Sequence, residues 1–398
     1  MSDRTRDQQT LHADWPALRP GQSVTLRAQS PLYKGKYVCS VLEVTANRLR
    51  ISMPLEDGKL VLVPVGTVVE LDCETEAAST TVRAQVIDRR GGRERSLTLG
   101  PEPQPPEYLT ASQPTAPCHT IAITSGKGGV GKTAFTINLG VALAELGKRV
   151  CIVDGDLGTA NVDVLLNMTP QYNLAHVIAG EKNIFDVILQ GPNGLVVLPG
   201  GSGLQELTAL EDRQFAKLLA QFQQLERYVD IMLLDTGSGL SRSVTNLVRA
   251  ADDTIVLTTP EPHAITDAYA LIKVASNEQP NLKLQLVVNR VQDEAEAREI
   301  ARKMLFASQQ FLGTDMQFLG HVVDDVSISR SIRMQQHLLS LYPKSRAAAC
   351  IRTIARRLVH GVDTIEEEVA AGRKGEPSQK GSVNKPSFLQ RVRQLFAR

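Results

Sequence analysis

Ser125-Gly126-Lys127-Gly128-Gly129-Val130-Gly131-Lys132-Thr133 lies between a β-branched apolar run, Thr120–Thr124, and a helix-like stretch, Ala134–Leu146, that Gly147 closes. Gly126, Gly131, Lys132 and Thr133 satisfy the phosphate-loop spacing, and the strand–loop–helix setting that this spacing requires is present. Glycines let successive backbone N–H groups turn inward, and the following helix aims its positive dipole end at the bound phosphates. Lys132 supplies a cation for the β- and γ-phosphates, and the Thr133 hydroxyl suits Mg2+. A glycine-rich turn without a ligand explains the glycines but neither Lys132 nor Thr133. This is a nucleotide site. Lys127 is not demanded by the general pattern; on spacing alone it is as readily a solvated lysine as a functional one.

The chain has 398 residues, enough for two or three domains, with 42% apolar and 22% charged residues and a net charge of +1. That balance gives no global attraction to nucleic acid or membrane, so any such affinity must be local. Five scattered cysteines without a C-x-x-C pair argue for reduced thiols and against an iron–sulfur or structural zinc site. The polar N-terminus and the lack of any long apolar run point to a cytoplasmic protein.

Upstream of the loop, residues 1–20 read as a flexible N-terminus and residues 21–100 as a small all-β barrel or sandwich. Strand-like runs at Val24–Leu26, Tyr37–Val44, Arg48–Ser52, Leu60–Pro64, Val68–Leu71, Val82–Ile87 and Leu97–Leu99 alternate with turn signals such as Asp57-Gly58. No catalytic set appears there, which makes it a binding or positioning module. Residues 101–117 are proline-rich and read as a linker.

Downstream, residues 118–361 alternate strand-like and helix-like runs, the texture of a mostly parallel sheet flanked by helices. Arg149–Val153 runs into Asp154-Gly155-Asp156, and Val229–Leu234 runs into Asp235-Thr-Gly-Ser-Gly239. An apolar strand ending in aspartate, placed after a phosphate loop, is a Walker B position whose carboxylate orders Mg2+. Leu284–Val288 ends in Asn289-Arg290, and an amide side chain can both donate to and accept from adenine; a turn or cap is the plainer use of Asn289.

These residues resemble the MinD/ParA superfamily of deviant phosphate-loop ATPases, and one branch in particular, the FlhG (FleN, YlxH) flagellar regulators. The match rests on Ser125–Thr133, Asp154–Leu166, Gly191–Gly201, Leu234–Val244, Thr258–Lys273 and Val287–Val291. The resemblance implies an ATPase using ATP and Mg2+. ATP would be held by Gly126, Lys127, Gly128, Gly129, Val130, Gly131, Lys132, Thr133 and Ala134, with Pro260, Asn289 and Arg290 around the base. Thr133, Asp156 and Asp235 would serve the metal, Asp156 would position the attacking water, and Asp154 would act in the same segment. Lys127 would reach across a dimer to the partner's phosphates. Gly155 and Asn167 stand where alanine and glycine are usual in the branch, and Asp7-Gln8-Gln9 matches only the start of its upstream motif.

The order Pro20-Gly21-Gln22, Gly35–Val41, Ile51–Pro54 and Pro64–Thr67 likewise resembles the N-terminal barrel of YcgR-type flagellar brake proteins, which precedes a cyclic di-GMP-binding domain. Arg89 and Arg93 imitate the arginine half of that second domain's site, but its other half does not occur in this chain. A solvated turn accounts for them better.

Residues 362–387 are polar and read as a linker, and 388–398 as a short basic amphipathic helix. Phe388, Leu389, Val392, Leu395 and Phe396 share an arc of about 120°, the pattern of an interfacial membrane anchor. Packing of that helix onto the body is the alternative. One copy would bind weakly, and two copies on an ATP-bridged homodimer would gain avidity. The resemblance adds an FlhF-like GTPase and flagellar C-ring (switch-complex) proteins as partners, with reversible association at the inner face of the cell membrane. A MinD-like division-site regulator, a ParA-type DNA-segregation ATPase and a nucleotide-gated scaffold remain alternatives. Neutral charge disfavours direct nucleic-acid binding.

Overall fold

The computed structural model describes Trp15 and residues 18–28, 35–63, 65–74, 79–91, 95–110, 116–156, 162–201, 212–279 and 282–361, with Phe388 and Arg391. They group into two units, Met1–Pro105 with Glu211–Gln221, and Pro106–Leu210 with Phe222–Arg398.

In the first unit, alternation of apolar and polar residues builds strands β1 (Ser23–Ala28), β2 (Gly35–Thr45) and β3 (Arg48–Ser52), then, after a ribbon of β4 (Leu55–Glu56) and β5 (Lys59–Leu60), β6 (Val68–Glu74), β7 (Ser79–Arg90) and β8 (Ser96–Pro101). They close into a barrel in the order β1-β2-β3-β8-β7-β6, every pair antiparallel. Register puts Val24 opposite Cys39 and Cys73, Leu26 opposite Tyr37 and Leu71, and Leu49 opposite Leu99, so one side chain in two fills the interior. Irregularities at Val41/Glu43 and Val86/Asp88 supply the extra bend that six strands need to close.

Of Leu60–Pro64, expected as a barrel strand, the described residues Leu60–Val63 form none of the barrel strands. Asp57 and Gly58 both have positive φ (47° and 77°) and turn the chain into the two-residue ribbon. Val63 then dips into the barrel core, its N–H turned back onto the Val61 carbonyl at 3.1 Å.

The second unit carries an eight-stranded sheet: β9 (His119–Ser125), β10 (Val150–Gly155), β11 (Leu189–Gln190), β12 (Val196–Leu198), β13 (Ile231–Ser238), β14 (Asp253–Thr258), β15 (Leu284–Val291) and β16 (Met316–Val323). The order is β11-β12-β10-β13-β9-β14-β15-β16, and only the short edge strand β11 runs antiparallel to its neighbour. β9 is central, so the loop after it opens where strand order reverses, the end of the sheet that binds ligands in open α/β folds.

The helix Lys132–Glu145 carries the chain from β9 to β10 in one direction along the sheet. Arg242–Ala250, Pro262–Glu278 and Glu294–Leu312 carry it the other way. Right-handed crossovers therefore put the two groups on opposite faces. The helix Arg346–His360 packs with Lys132–Glu145. Asn167 has φ 51°, a left-handed conformation that asparagine tolerates, which is why it can stand where glycine is usual.

Candidate functional site

The phosphate loop is shaped by contacts that leave little choice of residue. Ser125 Oγ donates to the Lys127 carbonyl at 2.9 Å, turning the chain out of β9. A Cβ on Gly126 would stand 2.2 Å from the Asp267 carbonyl, so the helix Pro262–Glu278 excludes any side chain there. Gly131, at φ 93°, caps the helix Lys132–Glu145, and a Cβ on it would meet Asn289 Nδ2 at 2.7 Å. That same Asn289 amide donates to the Val130 carbonyl at 2.7 Å, while its Oδ1 accepts from Arg290 N at 3.0 Å. Asn289 thus braces the phosphate loop from β15. Arg290 follows at φ 58°, and Pro260 stands just before Glu261, the cap of the helix Pro262–Glu278. Ala134 occupies the first turn of Lys132–Glu145.

Asp235, completely buried in β13, collects the charged and hydroxyl groups of that first turn. Its Oδ1 accepts from Lys132 Nζ at 3.1 Å and Thr136 Oγ1 at 3.1 Å, and its Oδ2 from Thr133 Oγ1 at 2.7 Å. Burial pushes its carboxyl above the ordinary value, against the pull of Lys132, Thr133 and Thr136. A hydroxyl and a carboxylate oxygen this close form the hard-oxygen set that Mg2+ prefers, with water completing the shell. The residues present fit that ion.

Asp154 pairs in register with Asp235 across β10 and β13. Its Oδ1 accepts from Asp156 N at 3.2 Å and its Oδ2 from Val162 N at 3.3 Å, so one carboxylate fastens the two ends of the segment 157–161, itself outside the described residues. Asp154 acts on the loop backbone. Asp156 Oδ1 lies 3.8 Å from where a Gly237 Cβ would stand, and Ser238 Oγ 3.4 Å from where a Gly128 Cβ would stand. The loops after β9 and β10 therefore converge with the end of β13.

Lys127 lies apart from the Asp235 cluster. Its Nζ donates to Glu261 Oε2 at 3.0 Å and meets His263 Nε2, and Glu261 and His263 pair at 3.0 Å. The Lys127 hydrogen bond and charge hold the Glu261 carboxyl below its ordinary range. Thr136, Glu261 and His263 are contributors that the sequence reading did not single out. Thr136 sits one helical turn after Thr133, a spacing that would have found it. Glu261 and His263 follow β14, which neighbours β9 only in three dimensions.

Of the tail stripe, Leu389, Val392, Leu395 and Phe396 lie outside the described residues. Phe388, expected to face a bilayer, is 3% exposed, its ring 6.5 Å from that of Phe222. Arg391 Nε donates to the Ala250 carbonyl at 2.6 Å and its Nη2 to Asp252 Oδ2 at 3.1 Å. In this conformation protein, rather than lipid, covers the ring, because Phe222 offers an apolar partner beside acceptors for the guanidinium.

Burial there pushes the Glu226 carboxyl up to about 7, against the Phe388 N–H and Arg391 and with Asp252 adding to the rise. A raised native value makes the protonated form the favoured one. The stability it contributes is complete below the unfolded value near 4.5 and is lost as pH rises through about 7. Glu226→Gln should therefore leave Tm unchanged at pH 4 and raise stability at pH 8 by on the order of 2 kcal/mol, read by thermal unfolding at both pH values.

A family model described as "AAA domain" matches residues 118–288, and one described as "Flagellar protein YcgR" matches residues 19–100. The antiactivator FleN of Pseudomonas aeruginosa is 37% identical over 242 residues, covering 61% of this chain and 86% of that protein. The flagellum site-determining protein YlxH of Helicobacter pylori is 31% identical over 245 residues, 61% and 83% of the two chains. The septum site-determining protein MinD of Bacillus subtilis is 34% identical over 250 residues, 60% and 88%. Among solved structures, MinD of Pyrococcus horikoshii complexed with Mg-ADP superposes with a TM-score of 0.50 at 26% identity, covering 61% of this chain and 96% of that one. With its phosphate loop and Asp235 cluster at the open end of a central parallel sheet, the chain belongs to the MinD/ParA family of ATPases, in the branch of FleN and YlxH, and carries a YcgR-type barrel ahead of the ATPase unit.

Proposed function

We propose that this protein is an ATP-driven dimerisation switch that sets the number or placement of flagella and cycles between the cytoplasm and the inner face of the cell membrane. The observation that carries the dimer is the position of Lys127. Lys132 already serves the chain's own Asp235 cluster, while Lys127 stands at the rim on Glu261 and His263, available to a phosphate brought by a second copy. Support for the flagellar setting comes from the FleN and YlxH relatives together with the YcgR-type barrel in one chain.

In this reading the backbone N–H groups of Gly128–Thr133 and the Lys132 ammonium hold the triphosphate of ATP. Pro260, Asn289 and Arg290 lie towards the base. Thr133 and Asp235 would hold Mg2+, which when bound would offset phosphate charge. Asp156 orients a water for attack on the γ-phosphorus, on a loop whose ends Asp154 ties down. As the water oxygen bonds to phosphorus, the bond to the ADP oxygen breaks and the water proton passes to the Asp156 carboxylate. Lys127 of the second copy adds positive charge where it develops on the phosphate oxygens. Partners of the dimer are the bilayer, an FlhF-like GTPase and C-ring proteins.

Lys127→Ala is the test. With a non-hydrolysed ATP analogue and Mg2+, sedimentation should show the parent as a dimer and the variant as a monomer, while analogue affinity of the variant changes by less than about threefold, as an exposed contact outside the chain's own site implies. A variant that still dimerises would refute the cross-subunit role.

A further inference from the structure

Among the described residues, five other than glycine have positive φ, and three of them are aspartate or asparagine, which tolerate it. The other two are Arg290, directly after Asn289, and Gln335. Gln335, at φ 52°, closes the helix Val326–Arg333 that follows β16. Its N–H bonds to the Ile332 carbonyl at 3.0 Å, and the Gln336 N–H to the Ser331 carbonyl at 3.1 Å. These two bonds make a Schellman turn, whose left-handed position glycine fills without steric cost and any other L residue fills under strain. Strain of this kind persists where the side chain has a task.

The Gln335 side chain reaches the segment that follows Asp156. Its Nε2 donates at 2.9 Å to the Val164 carbonyl, 171 positions earlier in the chain. Val164 belongs to the short helix Val162–Leu165, whose first N–H is held by Asp154 Oδ2. Val162 is buried and Val164 is 54% exposed, so packing secures the start of that helix and the Gln335 bond its later turn. A four-residue helix has too few internal bonds to hold its own direction. Three residues after Gln335, Leu338 N donates to Asn138 Oδ1 at 2.8 Å. Asn138 Nδ2 in turn donates to the Ala134 carbonyl at 2.7 Å, in the first turn of the helix Lys132–Glu145. The stretch Gln335–Leu338 therefore holds the helix that bears the phosphate loop with one bond and the segment after Asp156 with another.

We propose that Gln335 is a positioning residue for ATP hydrolysis: it braces the helix Val162–Leu165 against the helix Lys132–Glu145 and so keeps Asp156 in register with the phosphate loop. It touches no reacting atom. Asp154 fastens the segment at its start and Gln335 beyond it, each from a different element of the fold. The link to hydrolysis rests on the reading of Asp156 as the residue that orients water; the brace itself does not. A hydrogen bond of ordinary net strength shifts a local equilibrium by roughly three- to tenfold, which sets the size of the effect.

Three variants of the full chain test it. Gln335→Gly removes the donor and relieves the left-handed strain, Gln335→Met removes the donor and keeps the strain, and Gln335→Lys keeps a donor of similar reach. With saturating ATP and Mg2+, the glycine and methionine variants should turn over about three- to tenfold more slowly in a single turnover. Their affinity for a non-hydrolysed ATP analogue should stay within about twofold of the parent, and Gln335→Lys should recover turnover to within about twofold. The Leu166 and Asn167 amides, which bond to the Val162 and Val164 carbonyls, should exchange hydrogen faster in the two donor-free variants by the same factor as turnover falls. A residue that served stability alone would leave Gln335→Gly at parental turnover, because glycine suits that backbone better than glutamine does. Unchanged exchange at Leu166 and Asn167 in both donor-free variants would overturn the brace. Faster exchange with parental turnover would overturn its part in hydrolysis. Asp156→Ala is measured beside them: parental turnover there, with slow donor-free Gln335 variants, would remove the reading of Asp156 and leave the brace standing.

Discussion

Asp235→Ala should cost the nucleotide-free protein about 3–5 kcal/mol and remove ATP turnover, the largest single effect expected from the site. The stability loss arises because Lys132, 7% exposed at its side chain, would remain buried with its counter-charge gone, while Thr133 and Thr136 would lose their acceptor. Urea unfolding without nucleotide reads it directly. Asp235→Asn should lose less stability, since the amide oxygen still accepts from one or two of the three donors, yet it should lose turnover as completely, since a neutral amide is a poor partner for Mg2+. Equal stability of Asp235→Ala and the parent would show that Lys132 does not depend on this carboxylate. High Mg2+ should rescue neither variant's turnover.

Asp156→Ala should lower turnover by about 10²–10⁴-fold, the range for loss of a positioned base. ATP affinity and analogue-dependent dimerisation should stay near parental values. Single-turnover hydrolysis with saturating ATP separates the two. The distinction from Asp154 is structural: Asp154 grips the backbone of Asp156 and Val162, so its loss should loosen the loop and weaken nucleotide closure together with turnover. A variant of Asp156 that turns over normally would move the water-positioning role elsewhere.

Much of this architecture was legible because local chemistry and global placement coincide. The glycines and Lys132-Thr133 define their own strand–loop–helix context, and the apolar run into Asp235 announces a buried strand carrying a carboxylate, although that strand runs on to Ser238 rather than ending at Asp235. The alternating texture of residues 21–100 likewise announced a small β-unit, and the structure closes it. Three features were not legible, each for a physical reason. Leu60–Pro64 has the composition of a strand, but pairing is decided by the Asp57-Gly58 turn, which spends its register on a two-residue ribbon. Strand β16 went unnoticed because Met316–Val323 buries only its second half consistently. Glu261 and His263 meet Lys127 only because β14 lies beside β9, a neighbourhood that sequence separation conceals.

The tail shows a deeper ambiguity. An amphipathic stripe records that one face avoids water, and the gain per unit area is similar whether lipid or protein provides the cover. Periodicity placed Phe388 on that stripe correctly and carried no information about what lies against it; Phe222 and Asp252 supply that information from elsewhere in the fold.

The perch of Lys127 on Glu261 and His263 has a quantitative corollary. If each catalytic pocket is completed only by a lysine from another molecule, then well below the dimer's dissociation constant the hydrolysis rate grows as the square of abundance. Halving the number of copies in a cell would then cut total flux about fourfold. An enzyme obeying that law reports how many of itself are present, which is the quantity a system that counts organelles has to measure.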